Sequence, residues 1–375
     1  MRARRGKVLG LVLAGGEGGR LGTLTEGRAK PVLPFGGVYR LIDFPLSNCH
    51  HSRVSDVWVI QQYEAHSLSA HLANGRPWDL DRTWGGLAFV HPTTGGAENE
   101  SGFYEGNADA IHRNREAIES FDPELVLVLS ADAVYRLDYE EVLERHRERG
   151  AEATAVTTVK SLEEASRLGS VTVDGSGLVT AFEYKPEEPR SEIVTTEVFV
   201  YDAKVLLGTL AELEDEEGGL SDFGHSLLPR LVERGKTWAH DLGGYWRDVG
   251  TLESYWRGHM DLLEPEPELR LDDPEWPILT RGSQRPPARV EASARIEASL
   301  ISPGCIVRGR VIRSVLGPGV VVDEGVTVEE SVVLGGSHVG ADLARAVVDE
   351  AFDVTVETAG GDEPAVVAMA DAEPD

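Results

Sequence analysis

Short, nearly unbroken apolar runs separated by amphipathic stretches set the rhythm of the first part of the chain. Val8 to Leu13, Val57 to Ile60 and Leu125 to Leu129 are almost wholly apolar, and Ala153 to Val159 mixes Ala and Val with β-branched Thr. Between them, Asp109 to Glu119 and Tyr139 to Arg149 carry apolar residues at helical spacing. A strand that is apolar on both sides needs cover on both faces, which a sheet sandwiched between helices supplies. The alternation therefore predicts an α/β domain built on a mostly parallel sheet. Ligands of such sheets bind beyond the carboxyl ends of the strands, and Gly15-Gly16 and Asp132 stand at two of those ends.

The texture changes near Leu263. Glu264-Pro265-Glu266-Pro267, followed by Pro274, Pro277, Pro286 and Pro287, reads as a linker over residues 264–288. Beyond it, Val290 and Ile296, and then Val320, Val326 and Val332, recur every six residues, with Gly319 and Gly325 ahead of two of them. That period predicts a left-handed parallel β-helix over residues 289–358. The resulting division is 1–263, 264–288, 289–358 and a fraying acidic tail, 359–375.

A net charge of −28 alters the picture. It argues against nucleic acid as a partner and means that any phosphate site must be a local concentration of Lys, Arg, backbone N–H groups or metal. Two cysteines, Cys49 and Cys305, are too few for a disulfide framework and suit a reducing cytoplasm. Arg2, Arg4, Arg5 and Lys7 ahead of an apolar run imitate a signal peptide, but the run is short and ends at Gly15-Gly16, as a buried strand entering a turn does. No stretch approaches the ~20 apolar residues of a membrane span.

The turn itself, Leu13-Ala14-Gly15-Gly16-Glu17-Gly18-Gly19-Arg20, is the clearest chemical signal. Glycines let the backbone approach a triphosphate, and Arg20 adds a planar, permanently charged fork. A dinucleotide fingerprint needs a third glycine where Leu21 stands, and a P-loop needs Gly-Lys-Ser/Thr; neither fits.

Arg28-Ala29-Lys30-Pro31 follows, then Tyr39 to Cys49 (YRLIDFPLSNC), Gln62 to Leu68, Gly106 to Ala110 (GNADA), Ser221 to Gly224 (SDFG) and Tyr245 to Tyr255 (YWRDVGTLESY). In this order the motifs resemble the sugar-nucleotide pyrophosphorylases, specifically the bacterial ADP-glucose pyrophosphorylases, over about residues 7–340. The resemblance implies a Rossmann-like nucleotidyltransferase domain followed by a left-handed β-helix. It implies transfer of AMP from ATP to α-D-glucose 1-phosphate, with Mg²⁺, on the way to glycogen or another α-glucan. Arg20, Lys30 and Asp132 match its catalytic positions, and Asp132 and Asp248 its metal carboxylates. Leu13, Gly15, Gly16, Gly18, Gln62, Gly106, Ala108 and Asp109 match the nucleotide site. Tyr104, Gly169, Lys185, Thr195, Asp222 and Trp246 match the sugar-phosphate site, with Phe223 beside them. A homotetramer, or an assembly with a homologous subunit, is implied too, as is a sugar-phosphate effector near Arg28 and Arg40.

The departures fall on the sugar side. The family's Glu-Lys-Pro is Tyr184-Lys185-Pro186, which removes a carboxylate that accepts sugar hydroxyls. Its Ser-Met-Gly is Thr195-Thr196-Glu197, a nearby tyrosine is Phe199, the glycine before the catalytic aspartate is Ala131, and His225-Ser226 replaces Lys-Asp. Two further readings stay open: a paralogue using another sugar 1-phosphate or nucleoside triphosphate, and a weakly active regulatory subunit.

Overall fold

The computed structural model describes residues 6–15, 19–92, 104–214, 216, 220, 222–282 and 284–368. Gly16 and Gly18 lie outside them. A nine-stranded sheet organises the first domain. Its strands in chain order are β1 (Val8–Ala14), β2 (Asp56–Gln61), β3 (Gly86–Val90), β4 (Leu125–Ser130), β5 (Ala153–Val159), β6 (Gly169–Val173), β7 (Val179–Tyr184), β8 (Ile193–Asp202) and β9 (Thr237–Asp241). The spatial order β7-β6-β8-β4-β1-β2-β3 carries β5 and β9 as a branch from β8.

The block β4-β1-β2-β3 is parallel throughout. Each of its strands reads as apolar because both of its faces are covered. Along β4, Leu125, Leu127 and Leu129 enter the core on one side, while Val126 and Val128 enter the core on the other. The sheet is nonetheless mixed, because β8 runs antiparallel to β4, β5 and β6. The helical pattern expected from Asp109 to Glu119 is two helices, Asn107–His112 and Arg115–Phe121; that expected from Tyr139 is the single helix Tyr139–Glu148.

Three further sheets of five strands each, all parallel, form the second domain, a left-handed β-helix. Val290, Val307, Val322, Val339 and Val354 stack in one column through successive coils. One corner is turned by residues with positive φ that are not glycine: Ala298, Arg313, Glu330 and Arg345. The serine that follows several of them is buried and satisfies the next coil. Ser331 N donates to Ser314 Oγ (3.0 Å), and Ala346 N donates to Ser331 Oγ (3.0 Å). The ladder runs past the expected end at 358: Ala365–Val367 pairs in parallel with Ala346–Val348, so the start of the expected tail is a coil edge.

The segment 264–288 is a strap, not a free linker. The Trp276 indole donates to Asn48 Oδ1 (3.0 Å), Leu279 N donates to Ser47 Oγ (2.8 Å), and the Trp78 indole donates to Leu279 O (3.0 Å). A shared apolar cluster joins the two domains. Phe35, Tyr255 and Met260 of the first pack in it with Val315, Val332 and Val347 of the second. Among the described residues no helix is long and apolar enough to cross a membrane.

Candidate functional site

The carboxyl end of β4 delivers Ser130, Ala131 and Asp132 to the edge of a cleft. Asp132 is fixed from two sides: Lys30 Nζ donates to its Oδ2 at 2.7 Å, and Ser130 Oγ donates to its Oδ1. Lys30 opens a short 3₁₀ turn, Lys30–Val32, with Pro31 in its first turn, where a missing N–H costs nothing. The second carboxylate arrives by strand register. The short strand Trp246–Asp248 pairs antiparallel with Ala133–Tyr135, which sets Asp248 opposite Ala133 and so beside Asp132. Arg20 closes the group. A Cβ on Gly250 would stand 2.8 Å from Asp248 Oδ2 and 3.2 Å from Arg20 Nη2, so the glycine makes room for carboxylate and guanidinium to approach.

Electrostatics separate these acids. Burial disfavours the charge on Asp132, but Lys30, Ser130 and Arg20 outweigh it and hold the carboxyl below its ordinary value. Asp248 is raised, by burial first and then by Asp132. Lys30 is buried, which opposes its charge, yet Asp132 and Asp248 keep its ammonium above the usual value. Glu197 is pushed up to about 8 by its surroundings and by Asp132, Asp248 and Asp222. Its side chain reaches the water of the cleft while protein encloses it on the other sides, so desolvation and accessibility coexist there.

Three hollows with shared walls make up the cleft. The first holds about 150 Å³ of free room and gathers Gly169, Tyr184, Thr195, Glu197, Phe199 and Asp222 around Lys30 and Asp132. The second, of about 160 Å³, shares Asp132 and Glu197 with it and brings Arg20, Lys185, Trp246 and Asp248 together. The third, of about 200 Å³, is walled by Leu13, Gly15, Gln62, Tyr104, Gly106 and Asn107.

Several residues stand differently from their expected roles. Tyr104, expected at the sugar phosphate, sits with Gln62, which brackets its backbone: Tyr104 N donates to Gln62 Oε1 (2.6 Å), and Gln62 Nε2 donates to Tyr104 O (3.3 Å). Asp109, expected at the nucleotide, is buried with both oxygens engaged, Oδ1 by Arg113 Nε (2.9 Å) and Oδ2 by Glu105 N (2.9 Å). Ala108 is buried in the core beside it. Asp222 caps the turn that follows it, its Oδ1 accepting from Gly224 N (3.1 Å), and its Oδ2 accepts from the Tyr184 hydroxyl (2.9 Å). Arg28 and Arg40 face the β-helix: Arg28 pairs with Asp349 and with Glu350 (2.8 Å), and Arg40 with Glu350 (3.1 Å).

Sequence reasoning passed over Lys160 and Arg167, both of which line the cleft. Lys160 had a signal: it directly follows the apolar run Ala153–Val159, where a ligand-facing residue belongs. Arg167, on a surface turn, had none.

Comparison with known proteins agrees with this geometry. The sequence profile of the nucleotidyl transferase family matches residues 9–265, and that of a GlmU-like, C-terminal hexapeptide matches residues 286–367. A glucose-1-phosphate adenylyltransferase of Thermotoga neapolitana is 44% identical over 326 residues, covering 86% of this chain and 77% of the relative. This chain belongs to the glucose-1-phosphate adenylyltransferase family. Enzymes of the same name from Clostridium perfringens strain 13 (41% identical, 89% of this chain and 84% of the relative) and Halalkalibacterium halodurans (42%, 84% and 82%) place it there equally. Members of this family are nucleotidyltransferases.

Proposed function

We propose that the protein transfers the adenylyl group of ATP to α-D-glucose 1-phosphate, forming ADP-glucose and pyrophosphate. The observation that carries the reading is the convergence of Lys30, Asp132, Asp248 and Arg20 where the first and second hollows meet. The sugar phosphate oxygen attacks the α-phosphorus and pyrophosphate departs, with no covalent intermediate on the protein. Catalysis then consists of bringing two anions together and stabilising charge on the transferring and leaving groups. Arg20 and Lys30 hold the leaving pyrophosphate, and Lys185 holds the sugar phosphate from the second hollow. The third hollow receives the nucleoside, against Leu13, Gly15 and Gln62.

Asp132 and Asp248 suit Mg²⁺, which prefers oxygen ligands and is commonly held by one or two carboxylates plus substrate phosphates. Asp248 is raised by burial first and then by Asp132, and a divalent cation would relieve that repulsion. Bound there, the ion would neutralise phosphate charge. A homotetramer, a sugar-phosphate effector, a cytoplasmic setting and a role in glycogen or other α-glucan synthesis go with the family resemblance and belong to the same proposal.

Pyrophosphate release by the purified protein, with Mg²⁺ and a panel of nucleoside triphosphates and sugar 1-phosphates, tests it. Dependence on ATP and glucose 1-phosphate together is expected. Asp132→Asn should lower kcat by about 100- to 1000-fold in a protein that still folds, given what one preorganised charge is worth in such sites. Preference for another pair, or full activity of Asp132→Asn, would overturn the assignment.

A further inference from the structure

The acids lining the first hollow are already engaged, with one exception. Asp132 is bonded to Lys30 and Ser130, and Asp222 spends one oxygen on Gly224 and the other on Tyr184. Among the described residues Glu197 has neither a hydrogen bond nor an ion pair, although it lines both the first and second hollows. Its backbone is unusual as well. Glu197 has φ 59°, and the register of β8 against β5 shifts between Thr195 and Phe199, so it occupies a bulge. A side chain held in the left-handed region while its strand neighbours pair normally is over-determined by its surroundings, a condition concentrated at ligand sites. The bulge turns the carboxylate into the cleft and away from the β4 ladder, which resumes at Val198 and Phe199.

A third metal ligand is the obvious use for such a group, but the geometry does not supply it. Among the described residues no three acidic, histidine or cysteine side chains converge on one point, so Glu197 does not complete a cage with Asp132 and Asp248. A neutral ligand rich in hydroxyl donors is what remains. The first hollow is walled on its other sides by Phe182, Phe199 and Phe223, which pack a ring but donate no hydrogen bond to it. Next to it, Lys185, Arg20 and Arg167 offer cations for a phosphate.

On the function proposed above, we infer that Glu197 is the acceptor for hydroxyls of the sugar ring, replacing from β8 the carboxylate that Tyr184 removes from β7. Tyr184 is then a wall whose hydroxyl is used up on Asp222, and Glu197 decides which hexose 1-phosphate fits. A carboxylate that accepts from a buried hydroxyl discriminates strongly against a substrate lacking it.

Two variants test this, Glu197→Gly and Glu197→Gln, against glucose 1-phosphate and its monodeoxy analogues. In Glu197→Gly the KM for glucose 1-phosphate should rise about 10- to 100-fold, the cost of leaving a buried sugar hydroxyl without its partner. The KM for ATP and the Mn²⁺ affinity read by electron paramagnetic resonance should not move. One deoxy analogue that the unmodified protein disfavours should be handled equally by protein and variant. Glu197→Gln should fall between, because its amide still accepts. A lost Mn²⁺ affinity with unchanged sugar KM would make Glu197 a metal ligand and overturn the inference, as would an unchanged sugar KM alone. Calorimetric titration with hexose 1-phosphates separates the two levels of the argument. If the protein turns over glucose 1-phosphate and Glu197→Gly matches it, this inference fails and the function stands. If the protein ignores glucose 1-phosphate but binds another hexose 1-phosphate that Glu197→Gly loses, the function fails and the role of Glu197 stands. Binding of no hexose 1-phosphate overturns both.

Discussion

Gly224 has no room for a side chain, and the reason lies across the sugar hollow. A Cβ there would stand 2.1 Å from Tyr184 Cδ2 and 2.5 Å from its Cγ. These are atoms at the root of the ring, which cannot yield by moving a flexible tip. Gly224→Ala should therefore swing Tyr184 off its Asp222 partner, cost about 1–3 kcal/mol in stability as overpacking does, and raise the sugar KM. In the double variant Tyr184→Ala with Gly224→Ala the two penalties should not add, because the first change removes what the second collides with. Additive penalties in a double-mutant cycle would show that Gly224 acts through something other than Tyr184. This scale also separates what the sequence disclosed from what it hid. Lys30, Asp132 and Asp248 were legible because motif residues have fixed partners, and the structure joins them. The engagement of Asp109 by Arg113 and Glu105 was not legible, since a motif gives a residue's position and not its hydrogen bonds.

At the level of elements, legibility follows periodicity. The parallel strands could be read because burial on both faces leaves no polar residue to interrupt them, as in LVLVLS of β4. The antiparallel β8 and its bulge could not, because reversal leaves no mark on composition; Glu197 was visible only as a departure on the sugar side, not as a bulge. In the β-helix the six-residue period was visible, but the corners were not: Arg313, Glu330 and Arg345 turn them without glycine, and the serines beside them bond between coils. The last coil was missed because the polar Gly360-Gly361-Asp362-Glu363-Pro364 precedes its strand. The serine ladder predicts a specific weakness. Ser331 Oγ accepts from Ala346 N and donates to Glu329 O (2.7 Å) in a buried corner. Ser331→Ala leaves the Ala346 amide unpaired away from water and should destabilise the protein by about 1–3 kcal/mol. Reversible denaturation would register it, and a change under about 0.5 kcal/mol, the size of an ordinary surface substitution, would show that the corner relaxes or admits water.

For the whole molecule, the critical surface is the apolar seam between the domains, and a histidine lies beside it. His259 is buried against Phe35, ring centroids 4.4 Å apart, and Phe35 packs in the interdomain cluster. Gly36 N donates to its Nε2 (3.2 Å), so that nitrogen is bare; Nδ1 carries the proton and donates to Tyr255 O (2.9 Å). Protonating Nε2 would destroy the first of these bonds, and burial lowers the group from 6.5 to about 4. The sign follows directly. Between pH 6.5 and 4 the unfolded chain binds a proton at this histidine that the folded chain does not, so the contribution is full above 6.5 and is lost as pH falls toward 4. At about 1.4 kcal/mol per pKa unit the loss is on the order of 3 kcal/mol. His146, lowered to about 4 by burial, acts in the same direction. Glu197, raised to about 8, acts in the opposite one, stabilising the fold as pH falls from 8 toward 4.5. A single melting curve against pH therefore mixes opposing terms, and the comparison with His259→Gln isolates one of them. That variant should be less stable at pH 7.5, and its deficit should shrink by about 3 kcal/mol by pH 4, where the native histidine has lost its advantage. Parallel stability curves for the two proteins across that range would mean that His259 takes up its proton as readily in the fold as in the unfolded chain, and that the seam tolerates a charge its hydrogen bonds argue against.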